Sequence, residues 1–90
     1  MPAMIKAPSA KARLTRQLAR QGYRLGAPSH WTADAVAADV QVYRCRQCPR
    51  CRGRRMDVAH YHRPAADPMP ASCKILVSCR RPDCGFAEEA

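Results

Sequence analysis

Two short cysteine clusters, Cys48-Pro49-Arg50-Cys51 and Cys79-Arg80-Arg81-Pro82-Asp83-Cys84-Gly85, set the terms on which this chain can fold. Each reads as a hook. Pro inside both clusters, and Gly after the last Cys, bend the backbone so that two sulfurs point at one centre. Two such hooks on separate stretches can close a tetrahedral all-sulfur shell around a Zn2+ ion, with Zn–S near ~2.3 Å. The expected ligands are Cys48, Cys51, Cys79 and Cys84, holding one structural Zn2+ per chain. Cys45-Arg46-Gln47-Cys48 overlaps the first hook with the same spacing. Cys48/Cys51 is preferred because it contains Pro and is followed by Arg52-Gly53. Cys45/Cys48 stays open as the alternative, because it leads directly out of a strand-like segment. In the preferred register Cys45 and Cys73 are spare thiols, expected to be buried near the site, where a free Cys packs as a small hydrophobe.

The composition explains why staples are needed. Sixteen residues are Ala, and only twelve of 90 are Ile, Leu, Val or Phe. That share is below the level at which a chain ordinarily folds on its apolar core alone, and small domains in this position usually add metal or disulfides. Disulfides would require an oxidising compartment and a secretory signal. Residues 1–33 contain no apolar signal core, the longest run of large aliphatics is Ile75-Leu76-Val77, and no segment is apolar for long enough to span a bilayer. The expectation is a thiolate–metal site in a cytoplasmic protein with no membrane attachment. An Arg-rich, acid-free N-terminus also fits a mitochondrial transit peptide, but nothing else in the chain points to an organelle.

Local signals predict a small α+β fold: an N-terminal basic helix followed by a three-stranded antiparallel zinc ribbon. Ser9 is placed to cap a helix running to Gln21, with Gly22 as its stop. Leu14 and Leu18 form its thin apolar stripe. Thr32 is placed to cap a short Ala-rich helix through Ala38. Val40-Gln41-Val42-Tyr43-Arg44 alternates with period two and is expected to be the first strand. Met56 to His62 and Lys74 to Ser78 follow as the second and third, with residues 86–89 extending past the metal. The organisation expected is a basic extension over residues 1–39 and a zinc-ribbon domain over 40–90.

The charge is strongly positive, +9 in total, and uneven. Residues 1–33 hold six Lys/Arg and no acid, and residues 34–90 hold ten against seven acids. Arg44, Arg46, Arg50, Arg52, Arg54, Arg55, Arg80 and Arg81 crowd the hooks. A zinc ion held by four thiolates is formally dianionic, and two or three guanidinium groups would offset it. Eight is an excess that points to a polyanion, with phosphates as the natural contacts. Tyr43, Tyr61 and Phe86 offer stacking surfaces or simply pack a small sheet. His60 and His62 share one strand face. They are read as exposed or stacking side chains rather than as ligands of a second metal with the spare cysteines.

The stretch from Val40 to Glu89 resembles the zinc-ribbon superfamily, through Cys48-Pro-Arg-Cys51 and Cys79-x4-Cys84-Gly85-Phe86. Among small members it looks like phage late-transcription activators of the Ogr/Delta type, although its intervening stretch is longer. The resemblance implies the ribbon fold and a structural Zn2+ far more than a particular task. Three functions then compete. The leading one is a non-enzymatic module that binds nucleic acid, DNA or RNA, or a nucleoprotein complex through its arginines. The second is an adaptor that docks on an acidic protein partner. The third, a metal enzyme, needs an open metal position and a nearby base; four thiolates would close the shell, and no His/Glu constellation follows in the sequence.

Overall fold

The computed structural model describes residues 9–54, 56–81 and 84–90. It is a small α+β molecule. Helix α1 (Ala10–Arg20), the two-residue strand β1 (Arg24–Leu25) and helix α2 (Ala33–Arg44) precede strands β2 (Met56–Arg63), β3 (Ser72–Cys79) and β4 (Ala87–Glu89). The strands form one antiparallel sheet in the order β1-β2-β3-β4.

Helix α1 begins and ends as its sequence predicts. The Ser9 hydroxyl accepts from the Ala12 amide at 3.1 Å, satisfying one of the free donors of the first turn. At the other end Gly22 adopts φ +89°, which a side chain disfavours. The Gly22 amide donates to the Ala19 carbonyl and the Tyr23 amide to the Leu18 carbonyl, the paired bonds of a Schellman stop. The same turn brings Leu18 and Tyr23 into one buried cluster with Tyr61 and Leu76.

Helix α2 corrects the sequence reading. Thr32 caps it, accepting from the Ala35 amide at 3.1 Å, but the helix does not stop at Ala38. It runs through residues 40–44, the expected first strand, and the expected boundary between residues 39 and 40 falls inside it. The apolar alternation of Val40, Val42 and Tyr43 competes with a second pattern. Val36, Asp39, Val40 and Tyr43 stand at the i, i+3, i+4, i+7 spacing of one helix face, and all four are partly buried. Val42, the residue that belongs only to the strand pattern, is 65% exposed. The sheet therefore has four strands rather than three. Its extra edge, β1, is too short to be announced by periodicity, and β4 lies within the extension expected at 86–89.

Strand pairing puts Met56, Val58, His60 and His62 opposite Cys79, Val77, Ile75 and Cys73, and the alternate positions Asp57, Ala59, Tyr61 and Arg63 opposite Ser78, Leu76, Lys74 and Ser72. Alternation sends the two sets to opposite faces. One face carries the cluster of Leu18, Tyr23, Tyr61 and Leu76, bordered by Leu14, Ala59 and Ala87, so α1 is part of the core. The other carries Met56 and Val77 with Cys48 and Cys84, bordered by Tyr43 and Phe86. No helix among the described residues is long and apolar enough to cross a membrane.

Candidate metal centre

The first hook follows α2 directly. The Cys48 amide donates to the Gly53 carbonyl at 2.7 Å, and the Arg52 amide returns to the Cys48 carbonyl at 2.8 Å. Arg52 takes the left-handed turn position, with φ +62°. Gly53 is there for a different reason: a Cβ on it would lie 3.3 Å from the Cys51 sulfur. The second hook leaves β3 at Cys79, whose amide donates to the Phe86 carbonyl at 2.9 Å. Gly85 has φ +71°.

These turns bring the four expected cysteines together. The sulfurs of Cys48 and Cys84 are 3.6 Å apart and those of Cys51 and Cys79 3.5 Å apart. All four lie within 4.8 Å of one another. A tetrahedron with Zn–S of ~2.3 Å has sulfur–sulfur edges of ~3.8 Å, so the cluster has the dimensions of a four-thiolate shell. It is the only group of three or more candidate ligands converging in this way among the described residues. All six cysteines are free thiols.

The surrounding amides are arranged to suit sulfur anions. Each of the four sulfurs meets the amide of the residue two positions on: Arg50 for Cys48, Gly53 for Cys51, Arg81 for Cys79 and Phe86 for Cys84. Burial pushes the Cys48 thiol up, but the amides of Cys51 and Arg50 and the sulfurs of Cys84 and Cys51 outweigh it and lower its pKa to about 7. At Cys79 the Arg81 amide pulls down while burial and the other three sulfurs push up, and its pKa rises to about 12. Burial also raises Cys84, helped by the sulfurs of Cys51 and Cys48 and opposed by the Phe86 amide. Four sulfurs this close cannot all ionise without a cation between them. The residues present fit a soft divalent metal ion.

Cys45 is not among them. It is exposed at the end of α2, where its sulfur accepts from the Gln41 amide group at 3.3 Å. Cys73 is exposed as well, on β3 opposite His62. The spare thiols are thus not buried beside the cluster, as the sequence suggested. His60 and His62 have separate occupations. His60 is buried, 3.4 Å from the Asp39 carboxylate and edge-on to Trp31. The Nδ1 of His62 lies 2.9 Å from the Gly26 carbonyl.

The arginines expected around the hooks are exposed at positions 44, 46, 50, 52, 54, 80 and 81, while Arg55 lies outside the described residues. Arg46 stacks over Tyr43 at 5.7 Å, and Arg80 pairs with Asp57 at 3.2 Å. Arg44, Arg54 and Arg80 come from three separate segments yet line one depression of about 420 Å3, with Cys45 at its wall. Tyr43, Tyr61 and Phe86 do not form a shared platform: Tyr61 is buried on the α1 side, whereas Tyr43 and Phe86 border the cysteine cluster. Sequence reasoning missed the conjunction of Arg44, Arg54 and Arg80, because it depends on α2 ending where a strand was expected. Compared with protein-family models, curated proteins and solved structures, the chain matches none.

Proposed function

We propose that this protein is a non-enzymatic module that holds one structural Zn2+ ion through Cys48, Cys51, Cys79 and Cys84, in the manner of a zinc ribbon entered from a helix, and binds nucleic acid or a nucleoprotein complex through arginines grouped beside that centre. The bound metal would supply folding free energy that the thin core lacks. A shell closed by four thiolates leaves no position for a substrate.

The observation that carries the binding reading is the depression lined by Arg44, Arg54 and Arg80. Three guanidinium groups border it, no carboxylate lines it, and only Arg80 has an ion-pair partner among the described residues. Closely spaced guanidinium groups suit phosphate oxygens, which they grip through paired N–H bonds. A zinc–thiolate dianion nearby would draw on part of this charge, and Arg50 and Arg52 also stand around the hooks.

The test is fluorescence anisotropy with single- and double-stranded DNA and RNA across a salt series. Each phosphate contact contributes about −0.9 to the slope of log K against log salt on duplex DNA, so four to six contacts give roughly −4 to −5. Replacing Arg44, Arg54 and Arg80 by Ala should flatten that slope by about 2 to 3 while leaving zinc content unchanged. No binding to any of the four probes at low salt would overturn the reading.

A second reading, an adaptor for an acidic protein, has one observation in its favour. β1 is an unpaired edge of the sheet, and Leu25 on it is 72% exposed. Edges of this kind accept an added strand. Binding that tolerates high salt and fails in Leu25→Asp would favour the adaptor.

A further inference from the structure

The aromatic rings of this protein are all covered. The chain has five, Tyr23, Trp31, Tyr43, Tyr61 and Phe86, every one of them among the described residues, and none is exposed. Tyr23 is buried, with the Arg63 guanidinium and the Lys74 ammonium each 5.1 Å from its ring centre. Tyr61 is buried in the cluster with Leu18 and Leu76. Trp31 meets the His60 ring edge to face at 5.8 Å, and Phe86 packs against the cluster that holds Met56 and Val77. Tyr43, the ring nearest in sequence to the first hook, has Arg46 over it at 5.7 Å.

The cations are arranged the opposite way. Arg44, Arg46, Arg50, Arg52 and Arg54 are all exposed, and the stretch 44–54 that carries them contains no Asp or Glu. It leads into Met56, which stands opposite Cys79 at one end of the β2–β3 ladder. The charges therefore gather at the hook end of the sheet, where Arg80 follows Cys79. A zinc–thiolate dianion would be offset by two of them.

This combination discriminates between forms of nucleic acid. Single strands are held by bases stacked on open aromatic rings, with cations tracking the backbone alongside. A double helix keeps its bases stacked on one another and presents one phosphate charge per ~1.7 Å of axis, against one per ~3.4 Å on each strand. Exposed guanidinium groups without an open ring suit the double helix. We infer that the nucleic-acid ligand of this protein is a duplex, gripped through its phosphate backbone without base stacking. This narrows, and rests on, the nucleic-acid reading proposed above. DNA and RNA duplexes offer the same chemistry, and the probes distinguish them.

The probes are one mixed-sequence oligonucleotide as single strand and as duplex, in DNA and in RNA, at equal length. Binding to the full zinc-loaded chain is followed by anisotropy across a salt series. With about five phosphate contacts, the slope of log K against log salt should be about −4.5 on the DNA duplex and about −3.5 on the single strand; affinities equal at about 1 M salt then differ roughly 20-fold at about 50 mM, in favour of the duplex. Arg46→Ala removes one cation and uncovers the Tyr43 ring, so it should weaken duplex binding, spare the single strand and narrow the preference. Zinc content of the variant verifies its fold. Single strands bound by the wild-type chain as tightly as duplexes would overturn the inference and leave the nucleic-acid reading standing. An equal or wider duplex preference in Arg46→Ala would also overturn it. No binding to any probe would overturn the nucleic-acid reading, and this inference with it.

Discussion

The sulfurs of Cys48 and Cys84 lie 3.6 Å apart although 36 residues separate them. Together with the 3.5 Å approach of Cys51 to Cys79, this ties the turn after α2 to the end of β3. Structural zinc sites of this type bind with an apparent ~10–16 kcal/mol, comparable with the ~5–15 kcal/mol stability of a whole domain. Replacing any one of Cys48, Cys51, Cys79 or Cys84 by Ser should therefore abolish zinc retention and the cooperative melt at neutral pH. Cys45→Ser and Cys73→Ser should preserve both. Zinc stoichiometry and thermal unfolding of the six variants check this. Loss of zinc in Cys45→Ser with retention in Cys51→Ser would transfer the ligand role to Cys45.

Gly53 should be intolerant of a single methyl group. Its Cβ would sit 3.3 Å from the Cys51 sulfur, and its amide donates to the same sulfur at 3.4 Å. Gly53→Ala keeps that amide but pushes on the sulfur, and is expected to weaken zinc affinity by roughly tenfold, the scale on which disturbed outer-shell contacts act, with net charge unchanged. A chelator competition assay measures it. An unaltered affinity would show that the sulfur shifts freely.

The α1 face of the sheet should carry stability apart from the metal. Leu18 is fully buried against Tyr23, Tyr61 and Leu76, so Leu18→Ala in the zinc-loaded protein should cost about 2–5 kcal/mol. Val42→Ala, at a position 65% exposed, should stay within about 0.5 kcal/mol. Denaturant melts at fixed zinc compare the two. Equal effects would mean that α1 does not dock as described.

Zinc affinity should fall as pH falls. In the metal-free site Cys79 is held up to about 12 and Cys84 is raised too, so both carry protons at neutral pH and lose them to the metal. Cys48, lowered to about 7, begins to add a further proton as the pH drops below that value. Each proton displaced changes affinity about tenfold per pH unit. Affinity should thus rise at least about a hundredfold per unit above pH 7 and change more steeply below it. Calorimetry in buffers of different ionisation enthalpy reads the proton count directly, and a pH-independent affinity would contradict it.

Much of this was legible in the sequence where local chemistry decides the outcome. Ser9 and Gly22 delimit α1 because a hydroxyl cap and a left-handed stop are local requirements. The β2 and β3 segments declared themselves by β-branched and aromatic residues, and the hooks by Pro, Gly and Cys spacing. Val40 to Arg44 misled because a five-residue apolar alternation also matches a helix face, and only packing against β2 decides between them. β1 was invisible because two residues have no period. The grouping of Arg44, Arg54 and Arg80 arises from tertiary placement and left no local sign.

Four thiolates and one Zn2+ ion are proposed to hold this chain in its fold. Elemental analysis of the purified protein, followed by circular dichroism before and after treatment with a strong chelator, tests it most directly. One zinc per chain, with loss of the cooperative melt on chelation and recovery on adding Zn2+ back, is the predicted result. A metal-free protein that melts cooperatively, with a midpoint unmoved by chelator or added zinc, would contradict it.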